Sequence, residues 1–258
     1  MKPLAMILGG AGLTAACGLS LTFALLARHQ YGETMIAKVW PAGVSPVAVP
    51  PPAAPGARTV MLFGDSRMAE WGTPSIMGWR VVNAGFPGLT TAQLALRRRE
   101  LLVETHPALV VIQAGINDLK LLGVRPEMRD VVTGGCLSNL LAIARECRQS
   151  GARVVVTAIW PAGPPTWTYR LIWNDTVASA VTETNARLAR ELANEPGVRF
   201  LDLLAPFANG AGHPPATWYR DTLHLTPEAY AELTPKLAQT ITNWLERPVL
   251  SDTAKESR

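Results

Sequence analysis

Thr59-Val60-Met61-Leu62-Phe63-Gly64-Asp65-Ser66 is the stretch on which the reading of this chain turns. Its first five residues form an unbroken apolar run that stops at glycine. A half-exposed strand would alternate apolar and polar, so a continuous run predicts a strand buried on both faces. Four further runs share that character, at residues 80–83, 108–113, 153–159 and 198–202. Helical patterns lie between them, at residues 90–104, 129–150, 175–194 and 226–245. Gly151 and the Pro196-Gly197 pair close the second and third of these, and Thr226 followed by Pro227 opens the fourth as N-cap and first helical residue. Strand–helix alternation of this kind predicts an α/β domain with a five-stranded parallel sheet and helices on both faces. In such sheets the ligand crevice lies outside the carboxyl ends of the strands. Gly64-Asp65-Ser66 sits at such an end.

Working outward, the 258 residues divide unevenly. Residues 1–28 read as a transmembrane signal-anchor, because residues 4–27 carry no charge and are long enough to span a bilayer as a helix. Signal-peptide cleavage and lipidation at Cys17 are the other readings of this leader. Residues 29–57 read as a Pro/Ala-rich linker, whose later part, PAGVSPVAVPPPAAPGA, forms an extended spacer. Residues 58–246 read as the globular domain and 247–258 as a polar tail. An anchor followed by a spacer places the domain at an inner membrane, on the periplasmic side. The balance of Lys2 against Arg28 and Lys38 does not favour that orientation.

Net charge is +4, and the only dense basic run, Arg97-Arg98-Arg99, lies in a predicted helix and reads as a solvated face. No basic stripe studded with aromatics points to nucleic acid. Cys136 and Cys147 fall on one predicted helix, about 16 Å apart along its axis, too far for a disulfide. They read as buried thiols, and no metal-binding spacing is present.

Three more blocks follow predicted strands or precede a predicted helix: Asn83-Ala84-Gly85-Phe86-Pro87-Gly88, Gly115-Ile116-Asn117-Asp118, and Asp221-Thr222-Leu223-His224. Together with Ser66 they supply the parts of an acyl-transfer site. A serine hydroxyl is a weak nucleophile until a base takes its proton, and His224 is the natural base. Asp221, three residues earlier, can fix the imidazole tautomer and stabilise the imidazolium. Backbone N–H groups of Ser66 and Gly88 and the side-chain amide of Asn117 are the candidate oxyanion donors. The flanking residues are not Gly-x-Ser-x-Gly, so Ser66 does not sit on the nucleophile elbow of the α/β-hydrolases.

These blocks resemble those of the SGNH (GDSL) hydrolase superfamily. Ser66 matches its first-block serine, Gly88 its second-block glycine, Asn117 its third-block asparagine, and Asp221 with His224 its Asp-x-x-His. Leu225-Thr226-Pro227-Glu228-Ala229-Tyr230 is similar to the usual continuation. The resemblance covers residues 58–246. It implies a three-layer α/β/α, flavodoxin-like fold and a serine esterase that hydrolyses acetyl or short acyl esters through an acyl-enzyme, with no cofactor and no metal. The expected partner is a small-molecule, glycan or lipid ester. One departure stands beside the serine, where Arg67 replaces the usual small or apolar residue. It either favours an anionic or sugar-bearing substrate or pairs with a carboxylate.

Three other readings are open at this level. The same groups serve an O-acyltransferase acting on cell-envelope polysaccharide. A non-catalytic carbohydrate- or lipid-binding domain would keep the fold without turnover. A metal-dependent phosphoesterase would use Asp65, Asn117, Asp118 and His224 as ligands, although four histidines in all make that a poor fit. Trp160, Trp167, Trp173 and Trp218 read either as pocket lining or as loop packing.

Overall fold

Thr59–Gly64 forms β1, and every residue in it is buried. The computed structural model describes the backbone of residues 2–43, 58–76, 78–166, 169–209 and 213–245, and the side chains of these from Ser20 onward except Leu171. β1 pairs in parallel on one side with β2 (Arg80–Gly85) and on the other with β3 (Leu109–Gln113). β4 (Arg153–Thr157) and β5 (Val198–Leu201) extend the sheet in parallel, giving the order β2-β1-β3-β4-β5. This is the expected five-stranded parallel sheet. The order reverses direction between β1 and β3, which opens a crevice at their carboxyl ends.

Alternation along the strands feeds two separate cores. Met61, Phe63, Val110, Ile112, Val154 and Val156 face one side of the sheet, while Val60, Leu62, Leu109, Val111 and Val155 face the other. The first side is covered by α3 (Thr91–Thr105), α5 (Arg129–Gln149) and α6 (Asp175–Leu192), through residues such as Leu94, Leu140, Cys147 and Leu188. The second is covered by the short α2 (Ser66–Glu70) and by α7 (Pro227–Leu245), through Met68, Leu233, Leu237 and Ile241. A four-residue α4 (Ile116–Leu119) follows β3. Cys136 and Cys147 are buried free thiols. Thr90 caps α3 through a full capping box with Gln93, a pairing absent from the reading of the sequence.

The N-terminal segment departs from expectation. A helix, α1, runs Lys2–Val39, so residues 29–39 are helix and not spacer. Its last turns dock on the domain: Met35 and Val39 enter the first core, and Thr90 Oγ1 donates to the Lys38 carbonyl at 2.6 Å. Arg125 pairs with Glu33 at 2.8 Å beside it. Leu21, Phe23, Leu25 and Leu26, further back, stand exposed. Among the described residues no helix is long and apolar enough to cross a membrane. The side chains of residues 4–19 of the expected span, Cys17 included, lie outside the described residues, as do residues 44–57 of the spacer and the tail 247–258. The basic run also differs from a solvated face. Arg97 is buried with its guanidinium over the Phe86 ring, and Arg98 pairs with Glu146.

Gly64 sets the spacing at the crevice. A Cβ built there would lie 2.0 Å from the Gln113 carbonyl oxygen, inside the β1–β3 ladder. No neighbouring side chain can move to relieve that contact, because the atom is backbone. Gly64→Ala is therefore expected to cost ~3 kcal/mol of folding stability through overpacking. Urea denaturation measures this; an unchanged midpoint would show that the strands separate without cost.

Candidate active site

The crevice brings together residues from both ends of the domain. Ser66 is the first residue of α2, where its amide N–H has no helical acceptor. The side chain of Asp65 caps that helix by accepting from the Arg67 amide at 3.0 Å. Ser66 Oγ lies 3.0 Å from His224 Nε2, although 158 residues separate the two. The His224 ring in turn places Nδ1 2.8 Å from Asp221 Oδ2. Asp221 Oδ1 also accepts from the amides of Leu223 and His224, at 2.7 and 2.8 Å. Partial burial works against the charged form of this carboxylate. The two amides and the imidazole outweigh it and hold Asp221 below the usual carboxylate range.

Asn117 and Gly88 meet on the other side of the crevice. Asn117, buried in α4, donates from Nδ2 to the Leu89 carbonyl at 3.0 Å. That bond uses one of its two amide hydrogens and fastens α4 to the loop carrying Gly88. Gly88 has φ of +75°, a conformation that a side chain would strain, so the loop requires glycine there. Asp118 fastens the same loop from below. Its two oxygens accept from the Thr91 hydroxyl at 2.6 Å and the Thr91 amide at 2.9 Å, at the N-terminus of α3. Burial pushes the Asp118 carboxyl up to about 7 despite those donors, and that of Asp65 up to about 6.

Arg67 neither faces the crevice nor forms an ion pair within 4.0 Å. It is fully buried, and its guanidinium donates to three carbonyls: Leu223 at 2.8 Å, Pro161 at 2.9 Å and Trp160. This overturns both readings of the residue from the sequence. Its main chain is held as well, since Tyr230 Oη on α7 donates to the Arg67 carbonyl at 2.7 Å. The helix bearing the hydroxyl, the turn bearing the imidazole and the segment after β4 are thus tied to one side chain.

Four residues near the site carried no signal in the sequence. Glu70 Oε1 lies 3.8 Å from His224 Nε2 and 3.0 Å from Arg220. With Arg220 it lines a cleft of about 530 Å³, floored by Trp71, Leu225 and Tyr230. Lys120 Nζ donates to Asn117 Oδ1 at 2.7 Å, and Lys38 Nζ, from α1, donates to the Gly88 carbonyl at 3.4 Å. The tryptophans separate. Trp160 is wholly buried beside Trp71 and Tyr230, Trp173 is buried and lines an apolar cavity of about 390 Å³, and Trp218 packs on Phe207. Trp167 lies outside the described residues. The four residues read as possible metal ligands do not converge; among the described residues no group of three His, Cys, Asp or Glu is placed to hold an ion.

A profile of the GDSL-like lipase/acylhydrolase family matches residues 62–232. Esterase TesA of Pseudomonas aeruginosa is 34% identical over 118 residues, covering 40% of this chain and 55% of that protein. The chain thus spans about half the length of this curated relative. A GDSL-like lipase of Bacteroides thetaiotaomicron superposes with a TM-score of 0.58 at 20% identity, over 84% of this chain and 98% of that one. A lipase/acylhydrolase of Enterococcus faecalis superposes with a TM-score of 0.52 at 21% identity, over 72% and 96%. At these identities the two structures share the fold.

Removing the Arg67 guanidinium leaves the Trp160 and Leu223 carbonyls without their donor and Pro161 with Tyr219 Oη alone, each orphaned carbonyl costing about 1–3 kcal/mol if buried. Arg67→Met is expected to lower stability by ~3 kcal/mol or more and to lower kcat more than it raises KM. Equal kcat and an equal urea midpoint would show that the clamp holds nothing. Asp118 has a raised carboxyl, so its contribution to stability is full below about pH 4, where the unfolded chain also binds the proton, and is lost as pH rises through about 7. The stability gap between the native chain and Asp118→Asn is expected to shrink between pH 5 and pH 8 in urea titrations. A gap that widens means the Thr91 donors stabilise the anion more than burial opposes it.

Proposed function

We propose that this chain, which belongs to the GDSL-like lipase/acylhydrolase family, hydrolyses acetyl or short acyl carboxylic esters at Ser66 through an acyl-enzyme. The observation that carries this reading is the hydrogen-bonded series Ser66–His224–Asp221, assembled from residues far apart in the chain. Ser66 Oγ attacks the ester carbonyl as its proton passes to His224 Nε2. Asp221 holds the opposite ring nitrogen in the N–H form and stabilises the imidazolium. The carbonyl oxygen becomes an oxyanion, met by the Ser66 and Gly88 amides and by the second Nδ2 hydrogen of Asn117, each such donor typically worth ~10²–10³ in turnover. His224 then returns the proton to the leaving alcohol, and the acyl group stays on Ser66. Water repeats the sequence and releases the acid.

His224 Nε2 faces Glu70, so the alcohol leaves towards the cleft that Glu70 and Arg220 line. Carboxylate and guanidinium there suit a hydroxyl-bearing alcohol, while Trp71 and Tyr230 offer apolar area below it. Ser66→Ala is expected to remove hydrolysis of 4-nitrophenyl butyrate while the far-UV spectrum and urea midpoint stay in place. A fluorophosphonate should label the native chain at Ser66 alone. Turnover that survives the substitution would falsify the nucleophile.

A further inference from the structure

We propose that Lys38 and Lys120 form an anion subsite beside the oxyanion donors, fitted to an ester that carries a second, negatively charged oxygen group, carboxylate or phosphate. The inference rests on the reading of Ser66 given above and names the class of ester that it takes. Lys120 Nζ holds the carbonyl oxygen of the Asn117 side chain at 2.7 Å, and Lys38 Nζ holds the carbonyl of Gly88 at 3.4 Å. Each ammonium uses one of its three hydrogens in these bonds. Lys38 Nζ also lies 3.7 Å from the position a Cβ would take on Gly88, so it stands directly over that loop.

Neither ammonium has a carboxylate within 4.0 Å among the described residues; the ion pairs there involve Arg98, Arg125, Arg129, Arg145, Arg187, Arg220 and His224. Of the acids nearby, Asp118 bonds Thr91 through both oxygens, while Asp65 gives Oδ1 to the Arg67 amide and keeps Oδ2 unbonded, beyond 4.0 Å of either ammonium. Burial raises both carboxyls, Asp118 to about 7 and Asp65 to about 6, so near neutrality Asp118 carries its charge only in part. Lys120 is itself pulled down to about 8, first by burial and next by repulsion from Lys38. Asp65 and Asp118 pull it back up only in part, so two partly buried like charges with no carboxylate in direct contact raise the energy of the empty site, and a bound anion relieves that repulsion. The cations come from separate elements, α1 and the turn after α4, so ordinary helix-surface spacing does not account for their meeting. Arg67 cannot serve this role, because its donors are committed to backbone carbonyls.

Two matched ester pairs test this on the full chain. Mono-4-nitrophenyl succinate against 4-nitrophenyl butyrate places a carboxylate on the acyl side. A lysophosphatidate against a monoacylglycerol of the same chain places a phosphate on the alcohol side. The readout is the ratio of kcat/KM for the anionic member to that for the neutral one, which cancels any loss through disturbed oxyanion donors. For at least one pair, Lys38→Met and Lys120→Met should each lower that ratio about tenfold, and Lys120→Arg should restore it; the pair that responds identifies the source of the anion. Equal losses for both members of both pairs would overturn the subsite and leave the lysines as supports of Gly88 and Asn117. If the native chain turns over no ester, the function reading fails separately, and calorimetry decides the subsite. Succinate or glycerol 3-phosphate that binds the native chain but not the double methionine variant upholds it, and no binding to the native chain rejects it.

Discussion

The guanidinium of Arg67, bound to the carbonyls of Trp160, Pro161 and Leu223, is the interaction around which the crevice is organised. A serine and an imidazole from opposite ends of a chain react only if their separation is held to a fraction of an ångström. Backbone connectivity does not do this, because the turn carrying His224 is a surface loop. Arg67 follows Ser66 directly and reaches across to that turn and to the end of β4. One planar group with donors in several directions fixes three segments at once, which a lysine would not do. Burying such a cation costs several kcal/mol, and hydrogen bonds to carbonyl dipoles together with the nearby Asp65 offset that cost.

The donor side of the crevice is fastened by different means. Asn117 bonds to Leu89, and Asp118 bonds to Thr91, so the short helix after β3 and the loop before α3 move as one piece. One of these contacts uses the Thr91 amide, which the start of α3 leaves open, and so offsets part of the cost of burying Asp118. The consequence is that the Asn117 amide and the Gly88 loop are held in a fixed relation, which is what the proposed oxyanion role requires. The docked end of α1 adds to this arrangement, since Lys38 reaches Gly88 while its own carbonyl receives the Thr90 hydroxyl. A segment that looked like spacer is thus part of the wall of the site.

Much of this was legible in the linear chain. The three central strands were visible as apolar runs because both faces of the sheet are buried there, and the edge strands β2 and β5 as shorter runs that are only partly buried. Helix ends were visible where Gly151, Pro196 and Thr226 stand, since these residues act on their immediate neighbours. Ser66, Gly88, Asn117, Asp221 and His224 stood out as candidates because each follows a strand end or precedes a helix, and the fold brings Ser66, His224 and Asp221 into one hydrogen-bonded series. Arg97, Arg67 and Lys38 were misread or passed over. Their roles depend on partners outside their own element, Phe86 for the first, Leu223 for the second and Gly88 for the third.

What the chain alone determined, then, is every feature whose cause is local: runs that must be buried, residues that must cap or turn, and side chains whose chemistry is unusual in itself. What the folded structure decided is which charges face the crevice and which are consumed in holding it. Charge is long-ranged and directional, and a cation beside the reactive hydroxyl in sequence can point away from it in space. Arg67 does so, into three carbonyls, while two lysines remote from it in sequence bond to Asn117 and Gly88 instead. Only the packing of α1 and the reversal of strand order between β1 and β3 bring those groups to one place.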